Sequence, residues 1–383
     1  MTEQTRQSFV RRMFNGFNSV YSVPILAFIL ALVVRLAAIP VSLIQLNPYA
    51  TSDAIGFANA ASLIAQRTRA GQSPFSLSDY SLTYEIWGSF LSPFWQLPGP
   101  SEIYAHVFVA VLGSIAVYNV AVIAQHYHSP QAGLFAGLPL SFYPTIVMTH
   151  AALVREAAVL FGITSAARFL LAAPPQLEDR YTGTLVLTCL GFATVLRPEN
   201  APLYAGAIGV GLFLWILTSD LIYRIPVLLT SIPVGIFFAV RYINSAMNYV
   251  LSIRDRRGRG RTAYLIDVPI EEFLDLIAFS WIGALYFLYT PFIWMIELPR
   301  DFIVGTEAII SIFYTIAAIV GLPLAVQRYP IRTVTLVIAF LVGIVFYGFG
   351  TANVGTAARH RPMFLWVVFV FGGISIAHKH CSI

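Results

Sequence analysis

Long apolar stretches constrain this chain more than any other feature of its sequence. The first, VPILAFILALVVRLAAIPVSL at 23–43, contains a single charged residue, Arg35. A membrane-spanning helix needs roughly 20 mostly apolar residues, and comparable stretches recur along the chain. Of the 383 residues, 58% are hydrophobic and 11% are charged, whereas soluble proteins carry about a quarter charged residues. The sequence therefore predicts a multi-pass integral membrane protein.

The spacing of these stretches predicts an all-α polytopic bundle of about 10–11 spans. The segment 275–296 is apolar but contains YTPFIW and is flanked by Asp275 and Glu297. Spanning, re-entrant and interfacial placements all stay open for it. No internal repeat or sizeable soluble domain is visible, so 1–383 is treated as one transmembrane domain. The other predicted spans are 23–43, 103–124, 131–149, 153–173, 182–197, 202–218, 226–243, 303–326, 333–350 and 363–378.

Arginines predict the orientation, because cytoplasmic loops of membrane proteins are enriched in Lys and Arg. Arg6, Arg11 and Arg12 place the N-terminus in the cytoplasm. Alternation of the spans then makes the loops 44–102 and 244–274 external, with short amphipathic helices expected there. The second loop contains RDRRGRGR, five arginines in eight positions, on the face where the rule does not expect them. Such a cluster suggests a negatively charged ligand outside the plasma membrane.

The overall charge favours lipid anions over nucleic acid as partners. The net charge is +5 with a pI near 9.2, and Lys379 is the only lysine. In a membrane protein, anionic lipid headgroups or lipid phosphates are the natural counter-charges for arginine. The sequence contains no Walker A loop, no H-E-x-x-H and no G-x-S-x-G motif. ATP-driven and acyl-enzyme chemistry therefore lack support.

Asp53 is the first candidate catalytic residue in the external loops. A carboxylate at the mouth of a membrane cavity can take a proton from an acceptor hydroxyl as a general base. It can equally bind a divalent cation such as Mg²⁺ or Mn²⁺. Because Ser52 and Asp53 precede an apolar-periodic stretch, an N-cap role is a third interpretation. The residues alone do not choose among these roles.

Two further external segments pair arginine with glutamate. Arg155 and Glu156 open the predicted fourth span, where ionisable groups usually face a partner or a cavity. A structural ion pair and a functional site are equally compatible with this position. Arg197 and Glu199 lie between two spans, and a salt bridge within a tight turn is favoured for them over substrate binding.

Basic residues in two external segments are candidates for binding a phosphate. Arginine presents a fork of donors that fits phosphate oxygens, and Gly355 would let backbone amides approach an anion. Lipid-headgroup anchoring and a solvated loop are the structural alternatives. The candidate residues are Arg257, Arg259, Arg261, Arg359, His360 and Arg361.

This arrangement resembles the GT-C class of membrane glycosyltransferases, in particular its bacterial and archaeal branch related to protein O-mannosyltransferases and aminoarabinose transferases. LVVRLAAIP followed by SDAIGFANAASLIA is similar to that class's first span and its D-x-x-x-[YF]-x-x-x-A pattern. LVREAAVLF resembles the second acidic position of the class. GRTAYLID, GALYFLYTPFIW and NVGTAARHRPMF resemble later segments, although Ile293 departs from a family P-F-P-W site.

The resemblance implies inverting transfer of a sugar from a polyprenyl- or dolichyl-phosphate donor to a glycan, lipid or protein acceptor on the extracytoplasmic face. Asp53 would be the general base, and Glu156 would orient the acceptor or assist a metal. The basic candidates would hold the lipid phosphate. Further implied substrate contacts are Tyr84, Trp87, Arg155, Arg197, Glu199 and Tyr264, with Tyr84 and Trp87 stacking on a sugar or forming an interfacial belt.

Two alternatives stay open. An oligosaccharide polymerase or ligase uses a related external site, but such enzymes usually carry a larger external loop than 244–274. A transporter or flippase of anionic lipid-linked glycans could use the arginines as a track. Transporters tend to show inverted repeats and broken helices at the membrane midplane, whereas the charges here lie at the ends of the predicted spans.

Overall fold

The structure, a computed structural model, is a bundle of α-helices, and no β-strand occurs among the residues it describes. It describes residues 22–47, 51–75, 77, 80–173, 177, 179–218, 241, 248–258, 260–270 and 272–381. The named helices are α1 (Ser22–Leu43), α2 (Thr51–Arg69), α3 (Leu82–Leu91), α4 (Ser101–Tyr127), α5 (Pro130–Phe142), α6 (Pro144–His150), α7 (Glu156–Leu171), α8 (Asp179–Leu196), α9 (Ala201–Leu217), α10 (Phe273–Tyr289), α11 (Pro299–Arg328), α12 (Pro330–Gly350), α13 (Val354–His360) and α14 (Pro362–Cys381).

Six described helices are long and apolar enough to cross a membrane, or seven if the bent pair α5 and α6 counts as one span. These are α1, α4, α11, α12, α14 and α9 with its preceding turn. The prediction of an all-α, multi-pass membrane protein is confirmed. The described part does not reach the predicted 10–11 spans, because α7, α8 and α10 are shorter than 20 residues. Of the predicted span 226–243, the structure describes only residue 241.

Proline breaks the predicted span 131–149 into two helices. Tyr143 is extended, with φ −62° and ψ 111°, and α6 begins at Pro144 at an angle of 67° to α5. Steric conflict with the proline ring disfavours helical backbone at the preceding residue. The segment is therefore a broken span or a re-entrant loop.

The ambiguous segment 275–296 contains one short helix. Helix α10 ends at Tyr289, and Thr290, which precedes Pro291, is extended with ψ 148°. A short 3₁₀ turn, Ile293–Met295, follows. At 17 residues, α10 falls just below the length expected of a straight span.

Helix α14 forms the centre of the bundle and packs against α4, α5, α11 and α12. Two consecutive glycines make this close packing feasible. A Cβ atom at Gly373 would lie 2.8 Å from the carbonyl oxygen of Ala132 on α5, and one at Gly372 would lie 3.0 Å from the carbonyl of Tyr314 on α11. Larger side chains would force these helices apart, since interiors are close-packed.

Arg35 lies within α1 and not at its exit from the membrane, because the helix continues to Leu43. Its side chain is fully buried. It donates hydrogen bonds to the carbonyls of Ala31 at 3.0 Å and Leu140 at 3.1 Å, and its Nε lies 3.4 Å from Nδ1 of His150. Arg35 therefore lies inside the apolar helix. It ties α1 to the bent pair.

The bundle has two chemically different ends. Helix α7 begins at Glu156 at one end and ends at Leu171 at the other. At the second end Arg332 donates to the carbonyl of Leu171 at 3.2 Å, and Arg328 donates to that of Tyr127 at 3.2 Å. The first end carries ion pairs between arginines and carboxylates.

Candidate active site

Arg359 joins the two candidate catalytic carboxylates. Its Nη1 lies 2.5 Å from Oδ2 of Asp53, and its Nη2 lies 2.8 Å from Oε1 of Glu156. The Glu156 side chain is 4% exposed, whereas that of Asp53 is 34% exposed. The structure thus brings together three residues that the sequence placed in three separate segments.

Asp53 lies in the first turn of α2, which begins at Thr51. It is therefore inside the helix and not the capping residue before it. Its Oδ1 accepts a hydrogen bond from the hydroxyl of Tyr84 on α3 at 3.3 Å. Burial and the negative charge of Asp53 raise the pKa of Tyr84, so this hydroxyl stays protonated and donates. Gly56 makes room for the ring, because a Cβ there would lie 2.6 Å from it.

Glu156 also receives a second arginine. Nη2 of Arg197, at the end of α8, lies 3.2 Å from Oε1 of Glu156 and 3.0 Å from Nε2 of His360. Its Nη1 lies 3.4 Å from the hydroxyl of Tyr347. The other oxygen of Glu156, Oε2, is buried and has no hydrogen-bond partner within the described part of the chain. Glu156 therefore has one unpaired acceptor atom enclosed by the protein.

Glu199 pairs with two arginines, Arg197 in the same turn and Arg155 at the start of α7. Its Oε1 lies 3.6 Å from Nη1 of Arg197 and 3.8 Å from Nη2 of Arg155. Arg155 also donates to the carbonyl of Leu196. The ion pair predicted for the turn is present, and it is part of a larger network.

These groups surround a cavity of about 240 Å³, here called the arginine pocket. Arg257 differs from the other arginines because no described carboxylate forms an ion pair with it. It donates only to the carbonyl of Gly350, at 3.3 Å, and burial lowers its pKa. Arg257 is therefore free to bind an anion. The charged residues that line the pocket are Asp53, Arg155, Arg197, Glu199, Arg257 and Arg359.

His360 also lines the arginine pocket but does not add a positive charge to it. Burial, together with the nearby Arg197, holds the pKa of His360 well below its ordinary value. The neutral ring accepts from Arg197 through Nε2, which leaves its proton on Nδ1. His360 is therefore a neutral ring in the pocket, and its Nδ1 has no hydrogen-bond partner within the described residues.

Two of the arginines predicted to hold phosphate lie outside the arginine pocket. Arg361 is fully buried and donates to the carbonyl of Thr290. Arg261 pairs with Glu297 at 2.8 Å and with Asp301 at 2.9 Å, in a neighbouring cavity. Arg361 is two positions from Arg359, and residues i and i+2 of a helix do not share a face.

Two of the remaining predicted substrate contacts, Trp87 and Tyr264, also lie outside the arginine pocket. The indole of Trp87 is fully buried and donates to the carbonyl of Leu153 at 3.1 Å, so it presents no face to a sugar and forms no interfacial belt. Tyr264 is buried, with its ring 5.4 Å from that of Tyr286. Arg259 lies outside the described residues.

The carboxylates of the arginine pocket do not fit a divalent cation. Arg359 occupies the space between Asp53 and Glu156, which are the two residues considered as metal ligands. Further guanidinium groups surround the same space and would repel Mg²⁺ or Mn²⁺. Within the described ranges, no group of three or more His, Cys, Asp or Glu side chains is placed to hold a metal ion.

Sequence reasoning missed two residues of this site. Thr356 lines the arginine pocket, and it lies in the segment NVGTAARHRP that the sequence already singled out. The hydroxyl of Tyr347, buried on α12, donates to Oδ1 of Asn200 at 2.6 Å and contacts Arg197. Tyr347 sits within an apolar helix, so nothing in the local sequence marks it.

No family model matches the chain, and neither a curated protein nor a solved structure does. What the chain does is therefore inferred from the arginine pocket. This pocket is lined by an accessible carboxylate, Asp53, and by an excess of guanidinium groups, two of which also contact the buried Glu156.

Proposed function

We propose that the protein is an inverting glycosyltransferase that moves a sugar from a polyprenyl- or dolichyl-phosphate donor to a hydroxyl acceptor. The observation that supports it best is the meeting of Asp53, Glu156 and Arg359 at a cavity with further arginines. Inverting transfer needs a base on one face of the sugar and a phosphate-binding group on the opposite face, so both must line one cavity. The arginine pocket holds both within one ion-pair network.

The charges of the pocket suit a lipid phosphate. Four guanidinium groups, those of Arg155, Arg197, Arg257 and Arg359, face three carboxylates, those of Asp53, Glu156 and Glu199. The excess of one positive charge matches an anionic donor. Arg257, which has no carboxylate partner among the described residues, is the first ligand for the phosphate in this proposal. Guanidinium groups stabilise the charge that builds up on a leaving phosphate.

The transfer balances without a further reactant. The acceptor oxygen attacks the anomeric carbon while the bond between that carbon and the phosphate oxygen breaks. The bonding electrons leave with the lipid phosphate, and the acceptor proton passes to Asp53. In the structure Arg359 and Tyr84 occupy both oxygens of Asp53. The donor phosphate therefore competes for Arg359 and releases the base when it binds.

Glu156 positions the acceptor in this proposal. Its Oε1 is held by Arg197 and Arg359, and its Oε2 is a buried acceptor without a partner among the described residues. An unsatisfied buried carboxylate oxygen is costly, and an acceptor hydroxyl that donates to it would remove that cost.

The opposite end of the bundle supports an extracytoplasmic location for the pocket. Arg328, Arg332 and Lys379 lie at the ends of α11, α12 and α14, away from the pocket. Arginine and lysine accumulate on the cytoplasmic side of membrane proteins. We therefore assign the arginine pocket to the outer face of the plasma membrane.

The substitution Asp53→Asn tests the proposal. Purified Asp53→Asn protein should lose transfer by a factor on the order of 10²–10⁴, the contribution of general base catalysis. Asp267→Asn is the matched control, because Asp267 is exposed in a loop and lines neither cavity. Normal turnover by Asp53→Asn would overturn the base assignment. Passage of the lipid-linked glycan across proteoliposomes without sugar transfer would establish a transporter instead.

A further inference from the structure

A second cavity lies beside the arginine pocket. It has a volume of about 190 Å³ and is here called the tryptophan cavity; Arg261, Pro291, Trp294, Met295, Glu297 and Asp301 line it. Val354 lines this cavity and Thr356 lines the arginine pocket, so the first turn of α13 is a wall that the two cavities share. None of the roles assigned above uses the tryptophan cavity.

Trp294 presents a large aromatic surface in this cavity. It is 72% exposed although it is held in place by stacking on Phe292, with ring centroids 4.8 Å apart and planes at 10°. Exposed aromatic rings are common at binding sites, because their apolar area costs little conformational entropy when it is covered. Phe292 thus covers one face of the ring and leaves most of its surface open to a ligand.

Planar polar groups lie beside the ring. Nη1 of Arg261 donates to Glu297 at 2.8 Å, and Nη2 donates to Asp301 at 2.9 Å. Asp301 is fixed further by the backbone N–H of Leu298, at 2.9 Å. A guanidinium and two carboxylates offer donors and acceptors in pairs, the spacing that adjacent hydroxyl groups of a sugar require.

Aromatic stacking combined with paired polar groups suits a monosaccharide. A pyranose ring has one apolar C–H face, which packs on an indole, and hydroxyls at its edge, which hydrogen-bond to planar side chains. The cavity carries one guanidinium and two carboxylates, hence a net negative charge that disfavours anionic sugars. Its volume is below the 300–1,000 Å³ or so of typical ligand pockets, which limits it to a small unit.

We propose that the tryptophan cavity binds a neutral sugar unit of the acceptor, so that the acceptor is a glycan. That the bound sugar belongs to the acceptor rests on the proposed transferase function, whereas sugar binding in this cavity does not. The adjoining walls place this subsite next to the arginine pocket, where the donor sugar would be transferred. Glycan lipids and free oligosaccharides share the recognised unit.

The competing occupant of this surface is the membrane. Ile293, next to Trp294, is 81% exposed and apolar, and aromatic residues are enriched at membrane interfaces. Anchoring does not account for the ion-paired Arg261 and its two carboxylates in the same cavity. Membrane anchoring and sugar binding nevertheless predict different experimental results.

Binding is measured first, in the Asp53→Asn background, so that failure of catalysis and failure of this site are distinguishable. Saturation-transfer NMR with neutral methyl glycosides and disaccharides should show binding, and a methyl glucuronide should bind more weakly. Trp294→Ala should weaken the sugar's affinity by a factor on the order of ten, as loss of a buried aromatic contact does. Trp281→Ala is the control, since Trp281 is 64% exposed but lies outside the cavity.

Transfer assays in the otherwise wild-type protein provide the second measurement. Trp294→Ala should raise the KM for a glycan acceptor, and Trp281→Ala should not. Absence of any glycoside binding, or equal binding by both tryptophan variants, would overturn the proposal. Quenching of Trp294 by brominated lipids, without protection by glycosides, would assign this surface to the membrane.

Discussion

Nη1 of Arg359 lies 2.5 Å from the carboxylate of Asp53, although 306 positions separate the two residues in the chain. The same guanidinium also holds Glu156. This ion pair and the hydrogen bond from Tyr84 cover both oxygens of Asp53. The proposed transferase therefore gains its base only when an anion competes for Arg359, which couples donor binding to proton transfer.

Arg257→Gln should raise the KM for the lipid-phosphate donor by a factor on the order of ten or more, because a charged hydrogen bond to phosphate is lost. Steady-state transfer with varied donor measures this effect. Arg256→Gln is the matched control, since Arg256 is exposed and its Nε donates only to its own helix, at the carbonyl of Ser252. An equal effect of both substitutions would remove Arg257 from phosphate binding.

Glu156→Gln should destabilise the protein by about 3–5 kcal/mol, because it removes the buried counter-charge that Arg197 and Arg359 share and leaves them only the more exposed Glu199 and Asp53. Unfolding in detergent, followed by circular dichroism, measures the loss. Glu199→Gln should cost about 0–1 kcal/mol, since the Glu199 side chain is 27% exposed. Equal stability of the two variants would show that the Glu156 pairs contribute little.

His360 makes stability depend on pH. Its pKa in the folded protein lies well below the ordinary value because of burial, whereas an unfolded chain keeps a value of about 6.5. Below that pH the unfolded state binds more protons, so stability falls as the pH drops through about 6.5. His360→Gln keeps an acceptor for Arg197 but does not titrate.

Thermal melts between pH 5 and pH 8, a window of about 1.5 units on either side of the ordinary histidine pKa, measure this effect. The melting temperature of the wild type should fall more steeply with acid than that of His360→Gln. Because both proteins share every other histidine, the difference between their slopes belongs to His360. Identical slopes would contradict a neutral, buried imidazole at this position.

Chelation should leave transfer unchanged, because Arg359 occupies the space between the two carboxylates that a metal would need. Activity after dialysis against EDTA, with and without added Mg²⁺ or Mn²⁺, measures the requirement. Loss of activity that a metal restores would show that Arg359 vacates this space during turnover.

The sequence was sufficient to predict the class of fold and many of the residues that form the site. Hydropathy predicted a helical membrane bundle because a spanning helix must bury its own backbone groups. Unusual charges at the ends of apolar stretches marked Asp53, Glu156 and Arg359, because charge in such places is costly without a partner. These predictions depend only on local composition, which can be read from the sequence without a structure.

Partner identities could not be predicted in the same way. Whether Arg359 or Arg361 faces the pocket depends on the direction of a short helix, and only packing determines that Arg361 points to Thr290. The burial of Trp87 against Leu153 is likewise a contact between distant segments. Proline at 144 and 291 could have shown where the apolar segments break, since each disfavours helix at the preceding residue.

The segments on either side of the shared wall are tied by backbone hydrogen bonds. Tyr264 donates to the carbonyl of Ala352 at 2.9 Å, and Val354 donates to that of Thr262 at 3.0 Å. These hydrogen bonds join the segment that follows Arg257 to the segment that precedes Arg359, so we expect the two segments to move together. We expect occupancy of either cavity to change the affinity of the other, so that the proposed donor and acceptor bind cooperatively.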